Sequence, residues 1–510
     1  LSQQVSGSIE YAELNFPVIE IVQYATSSRR VVLCSLLVVA SNRDNKNFLI
    51  IVYNRIPRNH LVTSKPLPGP QGLPLIGHVT PFIRHGILGA FDLLSKRYGP
   101  MYRVPLPFGN TAIVLAHPDG VERVLRSNRE NYHKGSVYDG ARLLLGEGLV
   151  TAEGRAWERQ RALAQPAFNS TQLDIYLRTM TECTEDLLCE WRSLPAGNRI
   201  DLTEAATRLT LAIAGRTLFG LDLSGHSNRA GKAFRDGLRG IGSRGPGGLA
   251  VPLWLPTPVN VRFRRALVTL DQLVYDIIRR FRTCEASNAA GTLLDMLMAA
   301  RDPETGRGLT DRQLRDEIVT LYLAGHETTA NMLVWTFYLL SRSLDVHDRL
   351  EQELDTLPEG PPSLATLKGL EYAQMVLSEA LRLYPPAWTI ARNVIHDDEV
   401  CGYKIPGGSF VLLSPYITQR LEEFWPDPGR FDPQRFSAEN IRGRHRFAWF
   451  PFSAGPRVCI GKQFSMLEGQ LILAQVMREF RVSVDSGTLG FKAEGTLHPD
   501  RPVYIRLVKR

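Results

Sequence analysis

Two periodicities organise the chain beyond its first eighty residues. Apolar residues three and four apart predict helices over Ala90–Tyr98 (through Phe91, Leu93, Leu94 and Tyr98), Leu173–Trp191, Leu202–Phe219 and Val261–Ala286. Two short alternating runs, Met101–Val104 and Thr111–Leu115, flank Pro105–Asn110 and predict a hairpin, hence a small sheet. From Pro118 to about residue 355 almost everything else reads helical. One of these helices stands apart. Thr310 with Gln313 gives a capping-box start, and no proline intervenes from there to about Ser343, so the helix would reach about 50 Å. It is apolar on most faces, which belongs in the core of a large domain. Yet Glu327, Thr328 and Thr329 put polar groups at its middle, beside a weakening Gly325. Strand-like runs return at Thr389–Ile395, Glu399–Gly402 and Ser409–Ser414. About 40 aperiodic residues, Phe424–Pro456, precede a last helix over Gly461–Phe480, and short strands near Val482 and Val503–Leu507 close the chain. The expected fold class is mainly α with small β-sheets.

Residues 65–510 are expected to form a single domain. Its entrance is a stiff strap, Lys65 to Pro74, in which prolines forbid helix. Residues 1–64 read as an extension that is poorly ordered, or sequence upstream of the true start, since no methionine precedes Met101. Its apolar runs, Val31–Ala40 and Phe48–Tyr53, fall far short of the roughly 20 residues needed to span a bilayer. A weak membrane-surface anchor is the other reading. Within the body, the glycine-rich Gly237–Gly248 followed by apolar Leu249–Leu255 predicts a hinge beside a pocket lip, or an ordinary surface loop.

Composition narrows the class. In 510 residues, 44% are apolar and 22% charged, which excludes a disordered chain. A net charge of +8 is spread rather than gathered, so no nucleic-acid partner is expected. The six cysteines form no C-x-x-C pair, which excludes a zinc ribbon or disulfide scaffold and suits the reducing cytoplasm, with or without weak membrane association.

The candidate chemistry lies in Phe452-Ser453-Ala454-Gly455-Pro456-Arg457-Val458-Cys459-Ile460-Gly461. Gly455 permits a tight turn and Gly461 a close backbone approach. Cys459 would sit at the start of the last helix, where free N–H groups and Arg457 favour a thiolate, as metal ligand or nucleophile. A second signal is Glu379-Ala380-Leu381-Arg382, whose charges share a helix face. Arg435, in Phe431-Asp432-Pro433-Gln434-Arg435-Phe436, could complete a buried network with them.

These motifs, with Ala324-Gly325-His326-Glu327-Thr328-Thr329 and Trp157-x-x-x-Arg161, stand in one order over about residues 66–510. The chain thereby resembles the cytochrome P450 family of haem-thiolate monooxygenases. It departs from the family pattern at Gln434, where glutamate is common, and at Gln419, where histidine is common. The resemblance implies a long central helix, haem b as cofactor and Cys459 as its axial thiolate and metal ligand. It implies Trp157, Arg161, Arg392 and Arg457 as cofactor-binding residues for the propionates, and a structural role for Glu379, Arg382 and Arg435. It assigns Thr328 and Glu327 to catalytic proton delivery. A Thr328 hydroxyl bonded back one turn is the bland alternative. His326 is expected to pack or face solvent, and Cys183, Cys189 and Cys401, the last in a strand, to lack ligand partners.

Val150, Ala324, Ala387, Trp388 and Ile390 are then the expected substrate-binding residues, and Trp388 alone among them offers a donor. They suit a neutral hydrophobic substrate such as a fatty acid, terpenoid or carotenoid. With 51 residues after Cys459 and no cysteine cluster, electrons are expected from a separate ferredoxin or flavodoxin-type donor with its reductase. Arg442, Arg444, His445 and Arg446, with Arg155 and Arg159, are the expected basic docking dish for it. A peroxygenase or isomerase, and a non-catalytic haem sensor, are the rival readings. The Glu327–Thr328 pair counts against both.

Overall fold

The computed structural model describes residues 65–510 apart from 74–76, 79, 108–109, 196, 221–230, 234–235, 238–239, 242–251, 284–290 and 303–305. The expectations for residues 1–64, and for most of the glycine-rich segment and Leu249–Val251, lie outside the described residues. Pro252–Pro256 is described, and Trp254 stands 74% exposed there.

The strap docks as extended backbone. Lys65 N–H donates to Gly402 O at 2.9 Å, and Pro68 O accepts from Arg103 N–H at 2.8 Å. The first helix, Thr80–Tyr98, starts earlier than its spacing implies because a second helical segment joins it across a kink at Gly86, φ 67°. The hairpin forms as expected. β1 (Met101–Pro105) and β2 (Thr111–Leu115) pair antiparallel, Tyr102 opposite Val114. Three further strands extend this sheet: β3 (Tyr132–His133), β5 (Ile390–Val394) and β8 (Phe410–Leu413). The order is β1-β2-β8-β5-β3, with β2 and β8 parallel and the other pairs antiparallel. Both of its faces are covered: Ile113, Leu115, Val411 and Leu413 pack on one side, and Ala112, Val114, Ala391 and Leu412 on the other.

β4 (Arg199–Asp201), β9 (Phe480–Val484) and β12 (Tyr504–Lys509) form a second sheet, with β12 in the middle. β6 (Asp398–Val400) and β7 (Tyr403–Ile405), and β10 (Phe491–Ala493) and β11 (Leu497–Pro499), are two small hairpins. Cys401 therefore sits in a turn, at φ 49°, and not in a strand.

The remaining mass is helical, and the ends are capped by the residues chemistry favours. Asn169, Asp201 and Thr257 accept from backbone N–H groups at the starts of Ser170–Arg192, Leu202–Phe219 and Pro258–Arg282. The central helix is Asp311–Leu340 and carries a complete capping box, Thr310 with Gln313. It crosses Leu202–Phe219, where Thr210 Oγ1 donates to His326 O at 3.1 Å. Leu218 Cδ1 lies 3.9 Å from where a side chain on Gly325 would begin. Glu371–Leu383 and the terminal helix Lys462–Glu479 pack on its other sides. Trp335 stacks face to face on Tyr384, centroids 3.7 Å apart, within this core.

Behind the core, Glu379 and Arg382 are wholly buried and share two hydrogen bonds of 2.6 and 2.7 Å. The rest of the guanidinium is spent on Gln419 O, Pro428 O and Arg430 O. Asp432 N–H donates to Glu379, and Arg435 approaches it to 3.5 Å as an ion pair, so the three expected charges lie together. Gln419, one of the two departures, is itself buried and bridges Leu381 O, Arg382 O and Phe450 N–H.

Candidate functional site

The central helix identifies the site by its burial. From Leu314 to Leu340 every residue is buried except Ala324, Gly325, Glu327 and Thr328. A helix enclosed along its length but accessible at four clustered positions faces internal space there. Ala324 and Thr328, four apart, share that face.

The cysteine loop has the same signature. Gly455 takes φ 67°, and a Cβ there would lie 2.1 Å from Leu125 O, so only glycine closes this turn. Val458 N–H donates to Gly455 O, Cys459 N–H to Phe452 O, and Arg161 to Val458 O at 2.9 Å. Cys459 has accessible surface, yet burial pushes its thiol up. Both hold only if the sulfur opens onto space inside the protein. The Gly461 N–H, Arg161 and Lys462 pull the other way and lose. The expected thiolate-favouring helix start is thus outweighed, since the helix begins only at Lys462. A metal ligand bond is what would hold the sulfur deprotonated here. Gly461 meets only Phe168, at 3.9 Å, so the close approach its missing side chain permits is not made by protein.

Beside the loop is a cluster of buried positive charge. Arg392 is 6% exposed and donates to Ala391 O at 2.7 Å. Arg457 donates to Ala152 O at 2.8 Å, stacks over Trp157 at 4.1 Å and meets Glu153 at 3.3 Å. Burial lowers the Arg457 and Arg161 guanidinium values. A cavity of about 260 Å³ is lined by Trp157, Glu153, Arg392 and Arg457. Sequence reasoning missed Lys134 in this group. It is 5% exposed, points its ammonium at Val150 O and Ala152 O, and is held down to about 6 by burial and by Arg457 and Arg392. Nothing in Tyr132-His133-Lys134-Gly135 marks it, because its burial comes from residues far away in the chain.

The proposed proton-delivery residues sit in the open face but not together. Thr328 Oγ1 donates back to Ala324 O at 2.6 Å, which was the bland alternative. Glu327 accepts from Thr496 Oγ1 at 2.7 Å, and Asn331 donates to Thr496 in turn. Thr496, in the turn before β11, is the second residue that sequence reasoning missed. His326 packs as expected, buried with Nδ1 facing Tyr322 O at 2.7 Å.

Of the expected pocket residues, Ala324 and Ala387 are exposed, Val150 is 39% exposed amid buried neighbours, and Ile390 is half-buried. Trp388 is corrected. It is 6% exposed in the sheet core, and its indole N–H donates to Glu494 O at 3.2 Å. Ala387, in the bend ahead of β5, is exposed, whereas Trp388 packs among the buried residues beside the sheet. Cys401 also has company: His117 and Asp119 offer ligand atoms within 4.8 Å of its sulfur. There, however, His117 Nδ1 already accepts from Asp119 N–H.

A cysteine facing internal space and a group of buried basic side chains beside it are the chemistry that a large anionic, metal-bearing cofactor would need. A family model described as Cytochrome P450 matches residues 67–502. The chain is 34% identical over 427 residues to a cyclooctat-9-en-7-ol 5-monooxygenase of Streptomyces melanosporofaciens, covering 82% of this chain and 90% of that one. It is 33% identical to a pentalenene oxygenase of Streptomyces avermitilis, covering 86% and 97%. Its fold matches the crystal structure of cytochrome P450DA heme domain at TM-score 0.79 and 26% identity, covering 88% of this chain and 98% of that one. It matches retinoic acid bound cyanobacterial CYP120A1 at 0.77 and 27%, covering 88% and 100%. The chain belongs to the cytochrome P450 family and is a cytochrome P450 monooxygenase. The family implies a haem, and the residues present fit one: a sulfur donor facing internal space, with buried cations beside it for the propionates. Among the described residues, no helix is long and apolar enough to cross a membrane.

Proposed function

We propose that this enzyme hydroxylates an apolar terpenoid, binding haem b through Cys459 and drawing electrons from a separate ferredoxin or flavodoxin-type donor and its reductase. The observation that carries the reading is the open patch Ala324–Thr328 on an otherwise enclosed helix. Small and apolar side chains at Ala324, Ala387, Val150 and Ile390 offer a hydrocarbon surface without a charged anchor, which suits a neutral ring system over a carboxylate. The two Streptomyces relatives act, by their names, on terpenoid carbon skeletons, which supports the same class here. Haem, when bound, supplies dioxygen activation and oxygen insertion. Trp157, Arg161, Arg392, Arg457 and Lys134 would hold its acid groups.

The protein's own part is water and proton control. Thr328 spends its proton on Ala324 O, which leaves its lone pairs free to accept from a water in the open patch. Glu327, tethered to Thr496, can pass protons to that water when it turns from the tether. Thr328→Ala should therefore keep substrate binding but divert electrons from product to peroxide, read as peroxide formed per reducing equivalent. Unchanged coupling removes Thr328 from proton delivery.

The direct test of the whole reading is titration of the ferric protein with cyclic terpenes, carotenoids and fatty acids, followed by the Soret spin-state shift. Terpenes should give the largest shift, and Cys459→Ser should abolish the red-shifted ferrous–CO band. A response to fatty acids alone overturns the substrate class. A CO band that survives the serine overturns the ligand.

A further inference from the structure

Three consecutive residues in the first turns of the central helix each grip the backbone of one short segment. Arg315 Nη1 donates to Leu144 O at 2.9 Å. Asp316 Oδ2 accepts from Glu147 N–H at 3.0 Å. Glu317 Oε2 accepts from Leu149 N–H at 3.2 Å. Arg315 is itself steadied by Asp271 at 2.7 Å and Asp316 at 3.0 Å. All three are buried, which is an expensive place for a charged run unless it is used.

The gripped segment is built to fit. Gly146 has φ 59°, and a Cβ there would fall 2.1 Å from Asp316 Oδ1. At Gly148 a Cβ would fall 2.2 Å from Thr320 Oγ1 and 2.6 Å from Asp316 O. The two glycines let this turn lie directly on the helix. Its other edge is tied to the cation cluster: Lys134 donates to Val150 O and Ala152 O, and Arg457 to Ala152 O. Between these anchors one side chain stands out. Val150 is 39% exposed, while Leu149 and Thr151 are buried.

Glu317 also points along the helix. At 100° per residue, positions 317, 320, 324 and 328 fall on one face, the face of the open patch. Glu317 Oε1 and Thr320 Oγ1 are buried and make no hydrogen bond. One carboxylate oxygen thus holds the turn and the other is unused.

We propose that Glu317, with Asp316 and Arg315, is a positioning residue for substrate: it pins the 144–151 segment to the central helix and so fixes how far Val150 reaches over the open patch. The proposal rests on the reading of Val150 as a pocket residue. Glu317 touches no reacting atom, and its effect passes through Leu149 N–H to Val150.

The test uses the haem-loaded protein and two azoles that bind ferric haem, small imidazole and bulky 4-phenylimidazole. Glu317→Leu removes the acceptor, while Glu317→Gln keeps an oxygen for Leu149 N–H. Hydrogen exchange over 144–152 should quicken about tenfold in Glu317→Leu and stay near wild type in Glu317→Gln. Affinity for 4-phenylimidazole should change at least fivefold in the leucine variant only, with imidazole unchanged in both. Should the leucine variant not fold, Gly148→Ala, which pushes the turn off the helix, must give the same two changes. Unaltered exchange in the loosened variants overturns the pin. Faster exchange with unaltered azole binding overturns the positioning role. Val150→Phe then separates the causes: if it weakens 4-phenylimidazole binding, the pocket reading stands and the pin alone fails, and if it does not, the pocket reading fails too.

Discussion

Two buried groups of charge in this molecule look alike in sequence and differ in structure. Around Glu379, every guanidinium N–H of Arg382 has a partner, and the carboxylate is met by Arg382, Arg435 and a backbone N–H. Around Arg457, three basic side chains (Lys134, Arg392 and Arg457) gather with one carboxylate, Glu153, and are otherwise met by carbonyl oxygens and the faces of Trp157 and Tyr138. A closed network is scaffold. An open one, with charge in excess where charge is costly, is a place prepared for something of opposite sign.

The sharpest way to break the comparison is to open the closed network. Glu379→Ala leaves Arg382 charged, buried and without its carboxylate, which costs about 3–5 kcal/mol. The expected outcome is a chain that expresses poorly and retains no haem, seen as loss of the cooperative thermal transition. A variant that melts near the wild type would mean the network is not structural.

The open cluster should respond in the opposite way. Arg457→Leu and Lys134→Met remove basic groups whose burial is costly, so the protein freed of haem should be as stable or more so. Haem transfer to apomyoglobin should nevertheless quicken by about 10- to 100-fold, since a charge-assisted hydrogen bond is worth about 1.5–3 kcal/mol. Slower or equal transfer would remove these residues from cofactor binding. The pH dependence gives the comparison a sign. Lys134 is depressed from 10.5 to about 6, so without haem its share of stability is full above 10.5 and lost as pH falls toward 6. Urea unfolding of haem-free protein should rise in midpoint from pH 6 to 10, and Lys134→Met should flatten the rise. Glu317 runs the other way. It is raised from 4.5 to about 7, so its share is full below 4.5 and lost as pH climbs to 7. Glu317→Gln should remove that fall. Identical slopes in wild type and variants would show that neither group is buried as described.

The same contrast explains what was legible in the sequence. Helices, hairpin and central-helix cap followed from local spacing, and Glu379, Arg382 and Arg435 from motif. Residues whose roles come from distant partners did not. Lys134 is buried by the 150–152 backbone and by arginines at 392 and 457, and Thr496 reaches Glu327 from a turn with no periodicity. Trp388 and Ala387 are neighbours in sequence, yet one is buried and the other exposed, because their surroundings come from elements distant in the chain. Arg444 differs from Arg442 and Arg446 in its basic run by being half-buried. It lies instead 4.0 Å over Trp425 and 5.0 Å from Phe436, donates to Arg435 O, and is lowered to about 10 by burial.

That last correction reshapes the smallest expected effect, the docking of the electron donor. Arg444 flanks a concave depression of about 1060 Å³ that also includes Arg126, Arg129, Arg446, Lys462 and the cysteine-loop residues Phe452–Pro456. Arg129 and Arg446 are exposed there, whereas Arg159, once counted in the dish, is paired with Asp302 at 2.8 Å. Arg442 is exposed but is not among the residues lining the depression. Complementary charge acts mainly on the association rate and fades over about 8 Å at physiological salt. Arg129→Glu with Arg446→Glu should therefore slow reduction by an acidic ferredoxin several-fold at low ionic strength, and the difference should vanish at high salt. Substrate titration and the ferrous–CO band should not change, since neither side chain contacts the cysteine. Arg444→Leu should instead lower the melting temperature and leave the salt dependence of reduction as it was. If reversal at 129 and 446 leaves the low-salt rate untouched, the donor does not dock on this face. If Arg444→Leu alters the salt dependence, its guanidinium is not sequestered against Trp425 as the structure has it.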